Sequence, residues 1–185
     1  MFPEKHLKDL ESSERKSKIL RNFSVTVLFL SSFVLLGPLL HELSHIAVLG
    51  LQNCDYVFNI GFVLPNGINA QVSPLCAISS GYLLIFYTIG YFITLSAGVV
   101  LNITGSILNQ KSYSSYLTAL GTGTLLSVIL TIGIEGDIQN ALEVMKLDPV
   151  YGSWIALFII FGVFATSLQG FQNLLDLERK EGDTD

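Results

Sequence analysis

Residues 22–40 read NFSVTVLFLSSFVLLGPLL, and these 19 residues contain no charged side chain. A helix of that length, rising about 1.5 Å per residue, crosses a hydrocarbon core of about 30 Å. Apolar character resumes after His45 and lasts to Leu51, so we predict a first membrane span of about 20 to 30 residues. A signal peptide would be shorter and would be followed by a small-residue cleavage site, which is not found here.

Charged residues are concentrated at the two ends of the chain. Residues 1–21 hold ten of the 25, and residues 176–185 hold seven. The 154 residues between these ends carry the other eight: Glu42, Asp55, Lys111, Glu135, Asp137, Glu143, Lys146 and Asp148. A soluble domain needs charge over its whole surface, so this distribution excludes a cytosolic globule. The net charge of −5 and the lack of a basic stripe beyond the N-terminal segment argue against a nucleic-acid partner.

Three further apolar stretches are long enough to cross a bilayer. They are residues 81–108, 116–134 and 151–175. We therefore predict an all-α, multi-pass membrane protein with about four transmembrane helices. The chain then has three parts: a cytosolic N-terminal segment (residues 1–21), one membrane domain (22–175) and a charged C-terminal tail (176–185).

The positions of lysine and arginine predict the orientation, because cytoplasmic loops carry an excess of these residues. If both termini are cytoplasmic, nine of the ten basic residues lie inside and Lys146 alone lies outside. Lys111 then marks the inner turn between the second and third spans. We predict that both termini are cytoplasmic.

A short β-hairpin is predicted at the outer face, directly after the first span. Residues 56–64 are β-prone, Pro65-Asn66-Gly67 is a turn signal, and residues 68–72 can return as a second strand. Cys54 and Cys76 flank this segment. They either pair in an oxidising compartment or remain free thiols, and the sequence leaves both states open.

The motif His41-Glu42-Leu43-Ser44-His45 stands near the outer end of the first span. Residues four apart lie on one face of a helix, so the two imidazoles converge where zinc can be bound about 2.0–2.1 Å from each nitrogen. Glu42 lies one position along and can serve as a general base without being a ligand. This is the HExxH arrangement of zinc peptidases.

The alternative interpretation is a group of polar residues at a helix end, bonded to neighbours or to lipid headgroups. Against it, a charge placed centrally in a span costs about 2.5–3.5 kcal/mol on insertion scales. Gly37-Pro38 precedes the motif, and proline removes a backbone hydrogen bond. The pair predicts either a kink that turns the histidine-bearing segment away from the bundle or an ordinary membrane-helix proline.

A catalytic zinc ion usually has three protein ligands, and His6 lies on the cytosolic tail. The third ligand must therefore be an acid or a thiol. The candidates are Glu135, Asp137, Glu143, Asp55, Cys54 and Cys76. The third span runs from inside to outside, which places Glu135 and Asp137 at about the depth of the motif. We favour Asp137, because Asn140 on the same helical face can orient its carboxylate or stabilise an oxyanion.

The order of the motifs resembles that of the site-2 protease family of intramembrane zinc metallopeptidases. The HExxH motif at residues 41–45 is followed by Ala97-Gly98-Val99-Val100-Leu101-Asn102, which is similar to the family's Gly-Pro-x-x-Asn-like motif. Gly136-Asp137-Ile138-Gln139-Asn140 then stands where the family has its aspartate ligand. Val99 replaces the usual proline, and Asn102 lies toward the inner end of its span, where we expect packing through Gly98.

The resemblance implies a hydrolase that cleaves peptide bonds in or near transmembrane segments. Zn²⁺ would be held by His41, His45 and Asp137, with Glu42 as general base. The edge of residues 56–64 would hold the unwound substrate as an added strand. The expected partners are a membrane protein or peptide substrate and the lipid bilayer. The alternative is a non-proteolytic zinc-binding membrane module or partner-binding scaffold, because the family's Leu-Asp-Gly context around Asp137 is absent.

Overall fold

The chain forms a bundle of helices with one small sheet. The structure, a computed structural model, describes residues 4–63, 67–108, 111–134 and 136–182, and the side chains of residues 15–61, 70–108, 113–132 and 136–172. The elements in these ranges are α1 (Glu4–Ser31), α2 (Gly37–Leu51), β1 (Tyr56–Val63), β2 (Gly67–Pro74), α3 (Ser80–Ile107), α4 (Lys111–Ile134), α5 (Asp137–Val144) and α6 (Val150–Gly182).

Four helical stretches are long and apolar enough to cross a membrane. They are Arg15–Leu51, Ser80–Ile107, Tyr113–Ile132 and Val150–Gln172. The predicted all-α membrane fold with four spans is thereby confirmed. The first span exceeds its predicted limits, because α1 and α2 continue one another and the charged residues from Glu4 onward belong to the same helix as the apolar stretch.

A single π-helical turn, Ser32–Leu36, joins α1 to α2. Gly37 N–H donates to Ser32 O, five residues earlier, and Pro38 follows in the first turn of α2. Proline has no N–H to offer the preceding turn, and π-bulges are one of the ways in which a helix accommodates such an interruption. The distortion predicted at Gly37-Pro38 therefore lies in the wide turn just before the proline.

Helix α4 is the centre of the bundle. It packs against α1, α2, α3, α6 and the π-helical turn, and it is the most buried of the four spans. A Cβ atom on Gly123 would overlap Ser32, and a Cβ on Gly37 would overlap Ser127. Small residues permit such close approach between membrane helices, so these positions set the distance between α4 and the π-helical turn.

Three buried hydroxyls on α4, those of Thr124, Ser127 and Thr131, are bonded within their own helix. Thr124 Oγ1 donates to Leu120 O at 2.8 Å, and Thr131 Oγ1 donates to Val128 O at 2.9 Å. Unpaired polar groups are expensive away from water, and back-bonding to the preceding turn avoids that cost. The helix therefore remains compatible with a lipid environment despite its polar side chains.

The predicted β-hairpin is confirmed. Strands β1 and β2 pair antiparallel, in a register that runs from Tyr56↔Pro74 to Val63↔Gly67. Residues 64–66 of the turn lie outside the described residues. Cys54 and Cys76 form a disulfide at the base of the hairpin, with their Cα atoms 5.7 Å apart.

The hairpin packs against the end of the helical bundle opposite α1. Val72 on β2 lies in one cluster with Val48 and Leu49 of α2 and with Phe86 of α3. Gln52 Oε1 accepts hydrogen bonds from the N–H and the Oγ of Ser79, at 3.0 and 3.2 Å. The strand nearest to the helices is therefore β2.

We expect Cys54 and Cys76 of the purified protein to resist alkylation until a reductant is added, because both sulfurs are bonded to each other. Mass spectrometry after differential alkylation measures this directly. Loss of the disulfide in the Cys54→Ser variant should lower the stability of the hairpin region by about 2–4 kcal/mol. Complete alkylation of both cysteines without reductant, in protein kept under oxidising conditions, would contradict this pairing.

Candidate metal centre

Two histidines and one aspartate meet at a single oxygen atom. His41 and His45 lie one turn apart on α2, and both are buried. His41 Nε2 is 3.2 Å from Asp137 Oδ2, and His45 Nε2 is 3.1 Å from the same oxygen. The spacing of the HExxH motif thus directs both imidazoles to the carboxylate favoured as third ligand.

The turn between α4 and α5 positions Asp137. Gly136 has a φ of +64°, in the left-handed region that glycine adopts without strain. Asp137 follows as the first residue of α5. A carboxylate in the first turn of a helix also interacts favourably with the helix dipole. The left-handed glycine therefore directly precedes the residue that carries the carboxylate.

The two imidazoles determine the charge of Asp137, which lies outside the membrane-spanning helices. Burial by itself raises the pKa of this carboxyl. Hydrogen bonds to His41 and His45 and the attraction of their charge more than offset burial, so the pKa of Asp137 lies below its ordinary value. The group is therefore an anion at neutral pH.

Glu42 lies beside the histidines but is held by a different element. Its side chain is buried, and its Oε2 accepts a hydrogen bond of 2.6 Å from the backbone N–H of Val72 on β2. The ligand atoms of His41, Glu42 and His45 all lie within 4.8 Å of one another. These three buried residues could hold a metal ion.

Helix α3 forms an apolar wall against the histidines. The Tyr91 ring meets His41 edge-on at a centroid distance of 4.7 Å, and the Phe86 ring lies 4.5 Å from His45. A Cβ on Gly90 would lie only 2.5–2.6 Å from three atoms of the His41 ring. The imidazole of His41 therefore rests directly on the backbone of α3.

The centre is recessed from the ends of its helices. His41 precedes Leu51, the last residue of α2, by ten positions, and Gly90 follows Ser80, the first residue of α3, by ten. At about 1.5 Å per residue, each distance is about 15 Å. The predicted first span continues past the motif as far as Leu51, and α2 ends at that residue.

The donor set fits a zinc ion. Two ligands that are each about 2.0–2.1 Å from a tetrahedral zinc lie about 3.3 Å apart, close to the 3.1 and 3.2 Å found here. His45 Nδ1 is buried without a hydrogen-bond partner among the described residues, although metal-bound histidines usually donate from this atom. Direct hydrogen bonds from both imidazoles to Asp137 are the alternative to a bound metal, and metal analysis separates the two.

The remaining candidates lie elsewhere. Cys54 and Cys76 are joined to each other and are not free to bind a metal. Asp55 and Glu143 are exposed, and Glu135 lies outside the described residues. The Asn140 side chain forms no hydrogen bond with the three residues at the shared oxygen, as far as the described part of the chain extends.

Asn102 is remote from the centre and serves packing. It lies twelve residues after Gly90 on α3, which corresponds to about 18 Å. Its side chain accepts a hydrogen bond from Thr122 Oγ1 at 3.2 Å and donates to Gly98 O at 3.3 Å. Gly170 of α6 approaches it so closely that a Cβ there would lie 2.9 Å from Asn102 Oδ1. This amide therefore links α3, α4 and α6.

Several residues of the site give little signal in the sequence. Gly90 and Phe86 resemble any glycine and phenylalanine of an apolar span, and Val72 contributes only its backbone N–H. Comparisons of the chain with protein-family models, with characterised proteins and with solved structures found no match.

We expect the Gly90→Ala variant to bind metal about 10- to 100-fold more weakly, since the added methyl group displaces the His41 ring. The Gly81→Ala variant is the matched control, because a Cβ at that position of α3 meets open space. Metal content of the detergent-purified variants, measured by mass spectrometry at several free metal concentrations, checks this. Equal affinity of the two variants would show that Gly90 does not position His41.

Proposed function

We propose that this protein is a zinc metalloprotease that cleaves peptide bonds in or near transmembrane segments. The observation that carries the proposal is the meeting of His41 Nε2 and His45 Nε2 at Asp137 Oδ2, beside a buried Glu42. Two imidazoles, a carboxylate and a neighbouring second acid are the parts of a hydrolytic zinc site. Four apolar helices supply the membrane setting.

His41, His45 and Asp137 would hold the zinc ion. When bound, zinc supplies Lewis-acid activation of the attacking water and of the scissile carbonyl. The anionic Asp137 offsets part of the charge of the metal inside the bundle. The rings of Phe86 and Tyr91 keep bulk water away from the histidines, which strengthens the electrostatic interactions within the site.

Glu42 is the general base of the proposed reaction. Its carboxylate accepts a proton from the water whose oxygen attacks the carbonyl carbon, and it then delivers this proton to the leaving amine nitrogen. The peptide C–N bond breaks, and one carboxyl and one amino terminus form. The bond from Val72 N–H holds the Glu42 carboxylate beside His41 and His45.

The recessed position of the centre favours a substrate segment that itself enters the bilayer. A peptide bond inside a helix is shielded by its own hydrogen bonds, so the segment must unwind before it is cleaved. Strand β2 lies between β1 and Glu42, so a strand added to β1 would lie about 10 Å from β2. This distance argues against the expected role of residues 56–64 as the edge that presents the scissile bond.

Two independent features support cytoplasmic termini. Nine of the ten basic residues then lie inside. The Cys54–Cys76 disulfide lies beyond the opposite end of the helix that begins at Glu4, and disulfides persist in oxidising compartments. Under this orientation the centre lies nearer to the outer side of the membrane than to the cytoplasmic side.

We expect the Glu42→Gln variant to keep its metal and to lose about 100- to 10,000-fold in kcat, because only the proton acceptor is removed. The Asp137→Ala variant should lose the metal itself. The matched control is Glu143→Ala, which removes an exposed acid on the same helix and should change neither the metal content nor kcat. Zinc per chain and cleavage of fluorophore-quencher transmembrane peptides in phosphatidylcholine vesicles measure these effects. Full activity of Glu42→Gln would overturn the mechanism, and bound zinc without any cleavage would favour the non-proteolytic module.

The orientation has its own test. In a background without Cys54 and Cys76, single cysteines are introduced as Ser17→Cys and Leu147→Cys, both at exposed positions. A membrane-impermeant maleimide applied to intact cells should label the Leu147→Cys variant and spare the Ser17→Cys variant until the membrane is permeabilised. The reverse pattern would place the termini outside and the metal centre toward the cytosol.

A further inference from the structure

The site-facing edge of strand β2 is defined by its hydrogen bonds. Leu75 N–H donates to Asp55 O at 2.8 Å, so this pair belongs to the hydrogen-bonded set of the antiparallel ladder. Bonded and non-bonded pairs alternate, and the register pairs Val72 with Phe58 three steps further on. The N–H of Val72 therefore points away from β1, toward the bundle, where it meets Glu42 Oε2.

The bond between Val72 and Glu42 joins a fixed backbone donor to a buried carboxylate. The two atoms are 2.6 Å apart, and hydrogen bonds to a carboxylate anion are stronger than those between neutral groups. Both partners are almost fully buried. Such a bond restricts rotation of the carboxylate and fixes the direction in which it accepts a proton.

The strand that carries this donor is itself anchored on two helices. The Val72 side chain packs with Val48 and Leu49 of α2 and with Phe86 of α3. The Cys54–Cys76 disulfide closes the base of the hairpin. A donor on a mobile loop would not restrict the Glu42 carboxylate. The Val72 N–H can do so, because its strand is held by apolar packing and by a disulfide bond.

We propose that the backbone N–H of Val72 positions the Glu42 carboxylate for proton transfer, which makes strand β2 part of the catalytic apparatus. The inference rests on the proposed function, since it concerns the general base of that reaction. Val72 acts through Glu42 and is a positioning residue. Misplacement of a reacting group by about 1 Å can cost about 100-fold in rate, so the loss of one such bond has a measurable effect.

The Val72→Pro variant removes the donor and replaces the valine side chain, which packs against α2 and α3, with an apolar ring. Proline is tolerated in an edge strand where its nitrogen faces away from the ladder, as that of Val72 does. The Ile60→Pro variant is the matched control: Ile60 pairs with Ala70 in the non-bonded set, so its N–H also leaves the ladder, but on the outer edge of β1 and away from Glu42. Both variants place one proline in the same hairpin.

We expect Val72→Pro to lower kcat about 10- to 100-fold while KM and zinc content stay within about twofold of the wild type, and Ile60→Pro to retain the wild-type kcat. Unchanged kcat in Val72→Pro overturns the inference. A rise in KM with unchanged kcat also overturns it, because the strand would then act on substrate binding instead of on the base.

A second measurement needs neither substrate nor metal. In the metal-free protein, amide hydrogen exchange at Val72 should be about tenfold faster in the Glu42→Ala variant than in the wild type, whereas exchange at Gln71, which pairs with Asn59 inside the ladder, should not change. Equal exchange at Val72 in the two proteins overturns the inference even if Val72→Pro fails to fold. Wild-type protein that binds zinc and cleaves no peptide would refute the proposed function, and the exchange result would still decide whether Val72 holds Glu42.

Discussion

A single carboxylate oxygen, Oδ2 of Asp137, lies within 3.2 Å of two imidazoles that belong to another helix. Burying a carboxylate costs free energy unless the charge is paired. The two histidines, a bound metal ion, or the histidines together with the ion must supply that pairing. Three separate parts of the chain position these groups. They are the HExxH turn of α2, the left-handed glycine before α5, and the face of α3 that the His41 ring contacts. The packing of the helices holds these three parts in contact.

Much of the fold follows from where charge is missing. A chain that keeps eight charged residues among 154 must place the intervening stretches in lipid, and this alone predicts four spans. The metal centre follows in part from the four-residue spacing of His41 and His45, which a helix converts into a shared face. Asp137 follows from topology, because an even number of crossings returns the chain to the depth of the motif after the third span.

The rest of the site depends on an absent side chain and on a backbone N–H, neither of which can be recognised from residue type in the sequence. Gly90 matters because of the volume it leaves empty, and glycine is common in membrane helices for ordinary packing reasons. Val72 contributes a backbone N–H, which every residue except proline has, and its direction depends on a register that includes the partner strand.

The π-helical turn at Ser32–Leu36 changes the direction in which the side chains of the first span point beyond it. An α-helix advances about 100° per residue, so one extra residue in a turn rotates everything beyond it by about that angle relative to the part before it. The half of the helix before the turn and the half that bears His41 therefore present different faces to α4 than an uninterrupted helix would allow. Ser32 in the wide turn and Gly37 directly after it approach α4 closely, and the histidines beyond them point at Asp137. A one-residue deletion in the turn would leave the length and apolar character of the span almost unchanged, yet it would rotate His41 and His45 away from Asp137.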